Sequence, residues 1–269
     1  MEQASEDFTP IGSIQETIFL EGPNSRWKEL WFVLSVFKEF VHSFRKLHFI
    51  GPSVTVFGSA RFTENHPFYE VARTMGREIA KLGFTVITGG GPGIMEAANR
   101  GAKEAGGRSI GCNIVLPKEQ KPNKYLDRWV NIDYFFIRKV LLTKYSYAFV
   151  VMPGGFGTLD EFFEAITLIQ TGKTMRFPVI LMGKAYHEAL YKYIQNMVVE
   201  KTINPDDAEL FLLTDSVTEA IEHINKYAII GFGLKKKKRM KPIGILGELK
   251  YALTKGFQGR SGQGIIISL

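Results

Sequence analysis

The sequence predicts an α/β protein with a Rossmann-like, doubly wound parallel sheet and helices on both faces of that sheet. Apolar runs with the length of strands alternate with amphipathic helical patterns, which is typical of right-handed βαβ crossovers. Small residues follow three of the predicted strands, at Gly58-Ser59, Gly89–Gly93 and Gly154–Gly157. Ligands of such folds bind beyond the carboxyl ends of the strands, near the point where the strand order reverses.

The first half of the predicted sheet contains three strands and two helices. Pro67 and Gly83 mark the ends of the first helix, because proline favours the first helical turn and glycine favours the residue after the last one. In order, we predict a strand at Ser53–Phe57, a helix from Pro67, a strand at Phe84–Thr88, a helix at Ile94–Ala105 and a strand at Ile110–Leu116.

The second half continues the alternation. A short extended piece and a helix lead into a strand that ends at a glycine loop, and the helix after this loop reaches about Thr171. The predicted elements are an extended piece at Val130–Phe135, a helix at Arg138–Ser146, strands at Ala148–Met152 and Phe177–Met182, a helix at Tyr186–Val199, a strand at Leu210–Leu213 and a closing helix at Val217–Tyr227.

The stretch Phe149–Glu164 is the centre of the predicted site. An apolar strand ends at Pro153, three glycines follow within four residues, and an amphipathic helix begins after them. The N–H groups of such a loop and helix end have no intrahelical partner, and the helix dipole favours an anion there. Glycines remove the Cβ atoms that would keep a phosphate at a distance. The sequence therefore predicts a phosphate site with acidic residues just behind it.

A purely structural interpretation of those acids is also open. Thr158-Leu159-Asp160-Glu161 fits a capping box, in which Thr158 would cap the helix and Glu161 would reach back to the N-cap amide. Asp160 would then only complement the helix dipole. The three glycines favour a ligand site, because a plain helix start does not need them.

Three segments organise the chain. Residues 1–50 contain a loose N-terminal arm and an amphipathic helix, whose aromatic stripe indicates core or subunit contact; 51–230 form the α/β domain; and 231–269 are a flexible basic tail. The stripe consists of Trp27, Leu30, Trp31, Leu34, Phe37, Val41 and Phe44.

The charge of the chain is concentrated in that tail. Of 34 basic and 27 acidic residues, nine basic residues and one acidic residue lie from Lys235 onward, which leaves 25 and 26 in the body. A nearly neutral body argues against a nucleic-acid partner, and the lysine run indicates a solvated segment rather than a membrane contact. One cysteine, no signal peptide and no membrane-length apolar run indicate a cytoplasmic protein.

Several chemistries are disfavoured by the pattern. Neither glycine loop follows the first strand as a dinucleotide fingerprint, and the Walker A lysine is missing. The five histidines have no metal-ligand spacing, so neither a metal site nor a cofactor is predicted. Cys112 lies within a predicted strand and is interpreted as a packing residue rather than a nucleophile.

Three motifs carry a family resemblance. Pro153-Gly154-Gly155-Phe156-Gly157-Thr158-Leu159-Asp160-Glu161 resembles the P-G-G-x-G-T-x-x-E signature of the LOG ("Lonely Guy") family, the cytokinin riboside 5′-monophosphate phosphoribohydrolases. Arg138-Lys139 resembles the R-K element of that family, and Thr88–Gly93 resembles its T-G-G-G-P-G loop. The long form, with its aromatic N-terminal helix, is similar to the bacterial type II branch. Many members carry the older label lysine decarboxylase, but nothing here organises a pyridoxal phosphate site.

The resemblance implies hydrolysis of the N-glycosidic bond of AMP or of a cytokinin riboside 5′-monophosphate, giving a free base and ribose 5-phosphate. It implies that Glu161 is the catalytic acid and Arg138 the catalytic arginine. A carboxylate near C1′ would stabilise an oxocarbenium-like state or activate water. The substrate- and phosphate-binding residues expected from the loops and the resemblance are Gly58, Ser59, Thr88, Gly89, Gly90, Gly91, Gly93, Lys139, Gly154, Gly155, Phe156, Gly157, Thr158, Asp160 and Thr167.

The sequence leaves two questions open: which base the protein prefers, and whether water or a second base accepts the sugar. Lys124 stands where the plant-like branch has a substrate-binding glutamate, and Asn123 beside it is a weak candidate for that contact. A nucleotide or cofactor carrier, as in the molybdenum-cofactor carriers with the same fold type, is an alternative that needs no catalytic carboxylate. A relative that transfers the sugar to a second base is another. The aromatic stripe and the resemblance both favour a homodimer or a higher homo-oligomer.

Overall fold

A computed structural model describes Glu16, Leu20 and residues 22–115 and 121–231. The predicted basic tail from residue 232 on and most of the N-terminal arm therefore lie outside the described residues. The helices are α1 (Arg26–Leu47), α2 (Pro67–Lys81), α3 (Ile94–Glu104), α4 (Phe135–Tyr145), α5 (Phe156–Gln170), α6 (Lys184–Val199) and α7 (Val217–Ile224). The strands are β1 (Ser53–Phe57), β2 (Thr85–Thr88), β3 (Ser109–Ile114), β4 (Arg128–Ile132), β5 (Ser146–Val151), β6 (Val179–Met182) and β7 (Leu212–Thr214).

The described strands form one parallel sheet in the order β4-β3-β2-β1-β5-β6-β7. The chain runs outward from β1 to β4, returns to the other side of β1 as β5, and runs outward again to β7. The strand order therefore reverses between β1 and β5, where a doubly wound sheet has its ligand crevice. The predicted fold class is confirmed.

Helices cover both faces of the sheet, and each face has its own apolar core. Along β1, Val54 and Val56 face one core while Phe57 faces the other, as the alternation of side chains along a strand requires. Tyr69, Met75 and Ile79 of α2 pack on the first face together with residues of α3 and α7. Residues of α1, α4, α5 and α6 pack on the second face.

The N-terminal helix was predicted correctly, and of the two interpretations of its aromatic stripe, core or subunit contact, burial in the core does not hold for most of the stripe. Phe32, Val36, Phe40 and Phe44 pack against the core, and Leu47 is fully buried. Most of the stripe seen in the sequence points outward instead: Trp27, Trp31 and Phe37 are 74%, 70% and 67% exposed. Apolar residues occur on more than one side of α1, so helical periodicity alone did not identify the face that packs inward.

The inward-facing side of α1 also contacts the residues just before α4. Ser35 Oγ lies 2.8 Å from the hydroxyl of the buried Tyr134, and the Phe32 ring packs edge-on against the Tyr134 ring. The Glu39 carboxylate accepts a 2.7 Å hydrogen bond from the N–H of Asp133, immediately before α4. Burial raises the pKa of Glu39 to about 7, against the effect of this hydrogen bond. Helix α1 thus fixes the start of α4.

Candidate active site

A cavity of about 690 Å³ opens at the carboxyl ends of the central strands, within the size range of ligand pockets. The loops after β1, β2 and β5 meet there, as the sequence predicted. Nine of the predicted site residues line the cavity: Gly58, Ser59, Gly89, Arg138, Gly154, Gly155, Phe156, Gly157 and Thr158.

Ser59 joins the three glycine loops. Its N–H donates a 3.0 Å hydrogen bond to the carbonyl of Pro153 in the loop after β5, and its carbonyl accepts a 3.0 Å hydrogen bond from the N–H of Ile94 at the start of α3. The Ser59 hydroxyl accepts a hydrogen bond from the N–H of Arg61. Gly93 has φ +71°, and a Cβ there would lie 2.4 Å from the Ser59 carbonyl oxygen, so this close approach requires glycine.

The loop after β2 is held from behind by polar side chains. The Asn123 amide donates to the carbonyls of Gly90 and Gly91, at 3.0 and 3.2 Å, and also to the Asn99 side chain at 3.0 Å. The Thr88 hydroxyl accepts from the N–H of Gly90. Asn123, a weak candidate for a base contact in the sequence, therefore shapes the loop. Thr88, Gly90, Gly91 and Gly93 support the site and are not among the described residues that line the cavity.

Arg138 enters the cavity from α4. Its guanidinium lies over Gly89, where an added Cβ would be 2.9 Å from one of the terminal nitrogens. A side chain at residue 89 would therefore push the guanidinium aside. The Arg138 Nε atom is buried and has no hydrogen-bond partner among the described residues. This leaves part of a planar, permanently charged donor group available in the wall of the cavity.

Helix α5 begins three residues earlier than the capping-box interpretation requires, at Phe156 rather than at Leu159. Gly155 is the N-cap and offers no side chain to cap the helix, and the N–H groups of Thr158 and Leu159 both donate to the Gly155 carbonyl. Thr158 and Glu161 are therefore inside the helix, so the capping-box interpretation is wrong. Phe156 at the first helical position is 94% exposed at the cavity rim.

Glu161 lies one turn beyond Thr158 on this helix and is 6% exposed. Burial raises the pKa of its carboxyl to about 7, while the Arg138 guanidinium opposes this rise. Glu161 is not among the described residues that line the cavity, but its charge interacts with that of Arg138, which is. The structure thus places a buried carboxyl, whose pKa is near neutral pH, within electrostatic reach of the cavity arginine.

Lys139 and Asp160 pair with each other, and neither is among the described residues that line the cavity. The Lys139 ammonium lies 2.8 Å from the Asp160 carboxylate and 3.1 Å from that of Glu164. Burial opposes the charge of Lys139, but its ion pairs with these two carboxylates raise its pKa overall. Thr167 is nine residues past Thr158 on α5, about 14 Å along the helix axis, so the structure does not bring it to the cavity.

Several lining residues were missed by sequence reasoning. Arg61 follows the predicted small loop directly, and Tyr186 donates a 2.8 Å hydrogen bond to the Gly154 carbonyl from α6. The adjacency of Arg61 to Gly58-Ser59 was a usable signal, whereas nothing in the local pattern marked Tyr186. The missed lining residues include Arg61, Phe62, Met95, Asn113, Phe135 and Tyr186.

The remaining chemical candidates are consistent with structural roles. Cys112 is buried in β3, and burial raises the pKa of its thiol to about 12, which disfavours the reactive thiolate. His66 caps α2 by accepting from the N–H of Phe68. In the described part of the chain, no group of three or more His, Cys, Asp or Glu side chains is arranged to hold a metal ion. In the same part, no helix has both the length and the apolarity needed to cross a bilayer.

Comparison with protein families and curated proteins gives consistent matches. A family model described as "Possible lysine decarboxylase" matches residues 95–224. A cytokinin riboside 5′-monophosphate phosphoribohydrolase of Mycobacterium tuberculosis is 30% identical, over 56% of this chain and 82% of its own length. An Arabidopsis thaliana protein of the same name is 26% identical, over 65% of this chain and 82% of its own length.

One solved structure agrees on the fold. A structural genomics target determined by X-ray crystallography superposes with a TM-score of 0.51 at 24% identity, covering 65% of this chain and 99% of its own. The molybdenum-cofactor carrier protein of Chlamydomonas reinhardtii has a TM-score of 0.49 at 27% identity, covering 65% of this chain and 96% of its own.

Proposed function

This chain belongs to the LOG family of cytokinin riboside 5′-monophosphate phosphoribohydrolases, and we propose that it hydrolyses the N-glycosidic bond of AMP or of a cytokinin riboside 5′-monophosphate. The products are a free adenine-type base and ribose 5-phosphate. The observation that carries the proposal is the cavity between the glycine loops, with Arg138 in its wall and the buried Glu161 within electrostatic reach of Arg138.

The phosphate end of the substrate lies at the start of α5. The first N–H groups of a helix have no intrahelical acceptor and, with the helix dipole, favour an anion. Arg61 adds a cation to the cavity lining on the β1 side. Gly155 and Gly157 are exposed and nothing would surround a Cβ at either residue, so the loop leaves open space for a phosphate.

The reacting end of the substrate lies near Arg138 and Glu161. Water adds its oxygen to C1′ of the ribose, the C–N bond breaks, and the base leaves with a proton from that water. Positive charge develops on the ribose in the transition state, and the ionised Glu161 stabilises it, or takes the proton from the water and passes it on to the departing base. Arg138 holds Glu161 and the ribose oxygens as a planar donor fork.

The decisive test is base release from AMP. Purified protein incubated with AMP is expected to give adenine and ribose 5-phosphate in equal amounts, measured by liquid chromatography. Adenosine is expected to react far more slowly, because it lacks the phosphate that the α5 N-terminus binds. EDTA should leave the rate unchanged, since the proposed chemistry uses only side chains.

Other outcomes separate the alternatives. Equal turnover of adenosine and AMP would contradict the phosphate site, and activity lost to EDTA but restored by a divalent ion would contradict side-chain chemistry alone. Tight AMP binding without release of adenine would favour a carrier. Incorporation of labelled adenine into AMP would favour transfer of the sugar to a second base over transfer to water.

We also propose that the protein is at least a homodimer through the outer face of α1. Trp27, Leu30, Trp31, Leu34 and Phe37 are all exposed along this helix, and an apolar patch of this kind marks an interaction surface. Exposed Phe135, Phe136 and Val140 on α4, which packs against α1, add apolar area beside the site.

The dimer is tested by light scattering at micromolar concentration. Each chain has a mass of 30.3 kDa, so the wild type should give at least about twice that mass. Trp31→Glu combined with Phe37→Glu should give a monomer, because two charges cannot be buried unpaired at an apolar interface. Tyr193→Glu, an exposed residue of α6, is the matched control and should leave the mass unchanged. A monomeric wild type would refute the proposal.

A further inference from the structure

Helix α5 carries three acidic side chains close together. Asp160 directly precedes Glu161, and Glu164 lies one turn after it, where residues three apart on a helix are neighbours. The negative charges of Asp160 and Glu164 both disfavour ionisation of Glu161. A catalytic carboxylate that must be charged is thus placed between two like charges, which calls for a compensating group.

Lys139 supplies that compensation from α4. Its ammonium lies 2.8 Å from Asp160 and 3.1 Å from Glu164, so one side chain pairs with both flanking acids. The preceding residue, Arg138, lies in the cavity wall instead. These adjacent residues of α4 therefore contact different groups. Arg138 faces the cavity, and Lys139 faces the two acidic neighbours of Glu161.

We propose that Lys139 is a positioning residue that neutralises Asp160 and Glu164 and so keeps Glu161 ionised at neutral pH. That this ionisation matters for catalysis rests on the proposed function. The effect of Lys139 on the protonation of Glu161 does not depend on which reaction the site performs.

The groups that face Glu161 come from three elements. Arg138 and Lys139 on α4 favour its charged form, whereas Asp160 and Glu164 on α5 disfavour it. The Cys112 thiol on β3 also interacts with Glu161, but burial raises the pKa of that thiol to about 12, so it stays neutral near pH 7. Removing the charge of Lys139 removes one charge that favours ionised Glu161 and leaves the charges of Asp160 and Glu164 without their counter-ion. All three changes raise the pKa of Glu161.

The test compares Lys139→Met, which keeps the length and removes the charge, with Lys139→Arg, which keeps the charge. Glu161 is titrated directly by carboxyl NMR on protein with ¹³C-labelled glutamate, assigned with Glu161→Gln. Lys139→Met should raise the titration midpoint by at least about one pH unit, and Lys139→Arg should leave it near that of the wild type. The acidic limb of kcat/KM for AMP should move by the same amount, giving about a fivefold loss at pH 7 that high pH restores.

The opposite change is a second, independent test. Asp160→Asn combined with Glu164→Gln leaves the Lys139 charge without its partners, so the midpoint of Glu161 should fall below that of the wild type by about a unit. This variant keeps the inference testable if Lys139→Met does not fold.

Two results would overturn the inference. One is an unchanged Glu161 midpoint in Lys139→Met or in the Asp160/Glu164 double variant. The other is an equal shift in Lys139→Arg and Lys139→Met, which would mean that packing rather than charge is responsible. Failure of the proposed function would look different, because the wild type would release no adenine while the NMR titration still responded to Lys139.

Discussion

Glu161→Gln is expected to lower kcat for AMP at least about a hundredfold and to leave KM roughly unchanged, because it removes one preorganised charge that acts in the transition state. The swap is nearly isosteric and replaces a buried group whose pKa is already raised to about 7, so folding should not suffer. AMP should still bind through the glycine loops and the start of α5, which the substitution does not touch.

The measurement is single-turnover and steady-state base release, with thermal unfolding as the check on folding. Glu188→Gln is a matched control, because Glu188 is an exposed residue of α6 that pairs only with Lys192 among the described residues. It should keep wild-type kcat. A folded Glu161→Gln protein with near wild-type kcat would return Glu161 to a structural role.

The pH dependence of the wild type follows from the same carboxyl. Burial raises the pKa of Glu161 to about 7, and the proposed chemistry needs the ionised form. The value of kcat/KM should therefore rise with pH through about 7 and then level off. The pH profile of the residual activity of Glu161→Gln should lack this acidic limb. A rate that falls over the same range would indicate that the protonated form is the active one.

Arg138→Lys is expected to lower kcat/KM for AMP by about a hundredfold or more, although the positive charge is kept. The guanidinium packs over Gly89, and its buried Nε has no partner among the described residues. A lysine ammonium is a point charge on a flexible stem and cannot present a planar set of donors to a ribose oxygen and to Glu161 at once. The remaining charge should keep Glu161 partly ionised, so the acidic limb should shift little.

Two comparisons make this result specific. Arg138→Met should be at least as impaired and should also raise the midpoint of Glu161, because the charge opposing protonation is gone. Arg73→Lys is the matched control, since Arg73 of α2 pairs with Glu70 and with Glu104 of α3 and lies outside the cavity lining. Near wild-type activity of Arg138→Lys would show that charge alone suffices and would contradict the donor-fork role.

Local sequence patterns were sufficient to predict the structure where the residues concerned are consecutive in the chain. The strand, glycine loop and helix at residues 149–164 form one continuous segment, so their order could be predicted. The parallel sheet followed from the alternation of strands and helices, because right-handed crossovers allow few other arrangements. The cavity accordingly contains the predicted residues of the loops after β1, β2 and β5.

Boundaries were less predictable where glycine was involved. Gly155 and Gly157 are poor helix formers, so the sequence placed the helix start at Thr158 and made the capping box plausible. In the structure the apolar face of α5, including Phe162, Ala165 and Ile169, packs on the sheet, and the helix extends back to Phe156. With Gly155 as the N-cap, Glu161 lies within the helix and has no capping role.

By itself, then, the sequence determined the fold class and the three glycine loops at one edge of the sheet, since both depend on patterns along the chain. The roles of Arg138 and Glu161 came from the family resemblance and stay a prediction. Only the tertiary structure decided which side chains meet: Lys139 with Asp160 and Glu164, Asn123 with the loop after β2, and Tyr186 with Gly154. It also decided that the aromatic stripe of α1 faces outward. Long-range pairings depend on how helices from distant parts of the chain pack on one sheet, and no local period records that.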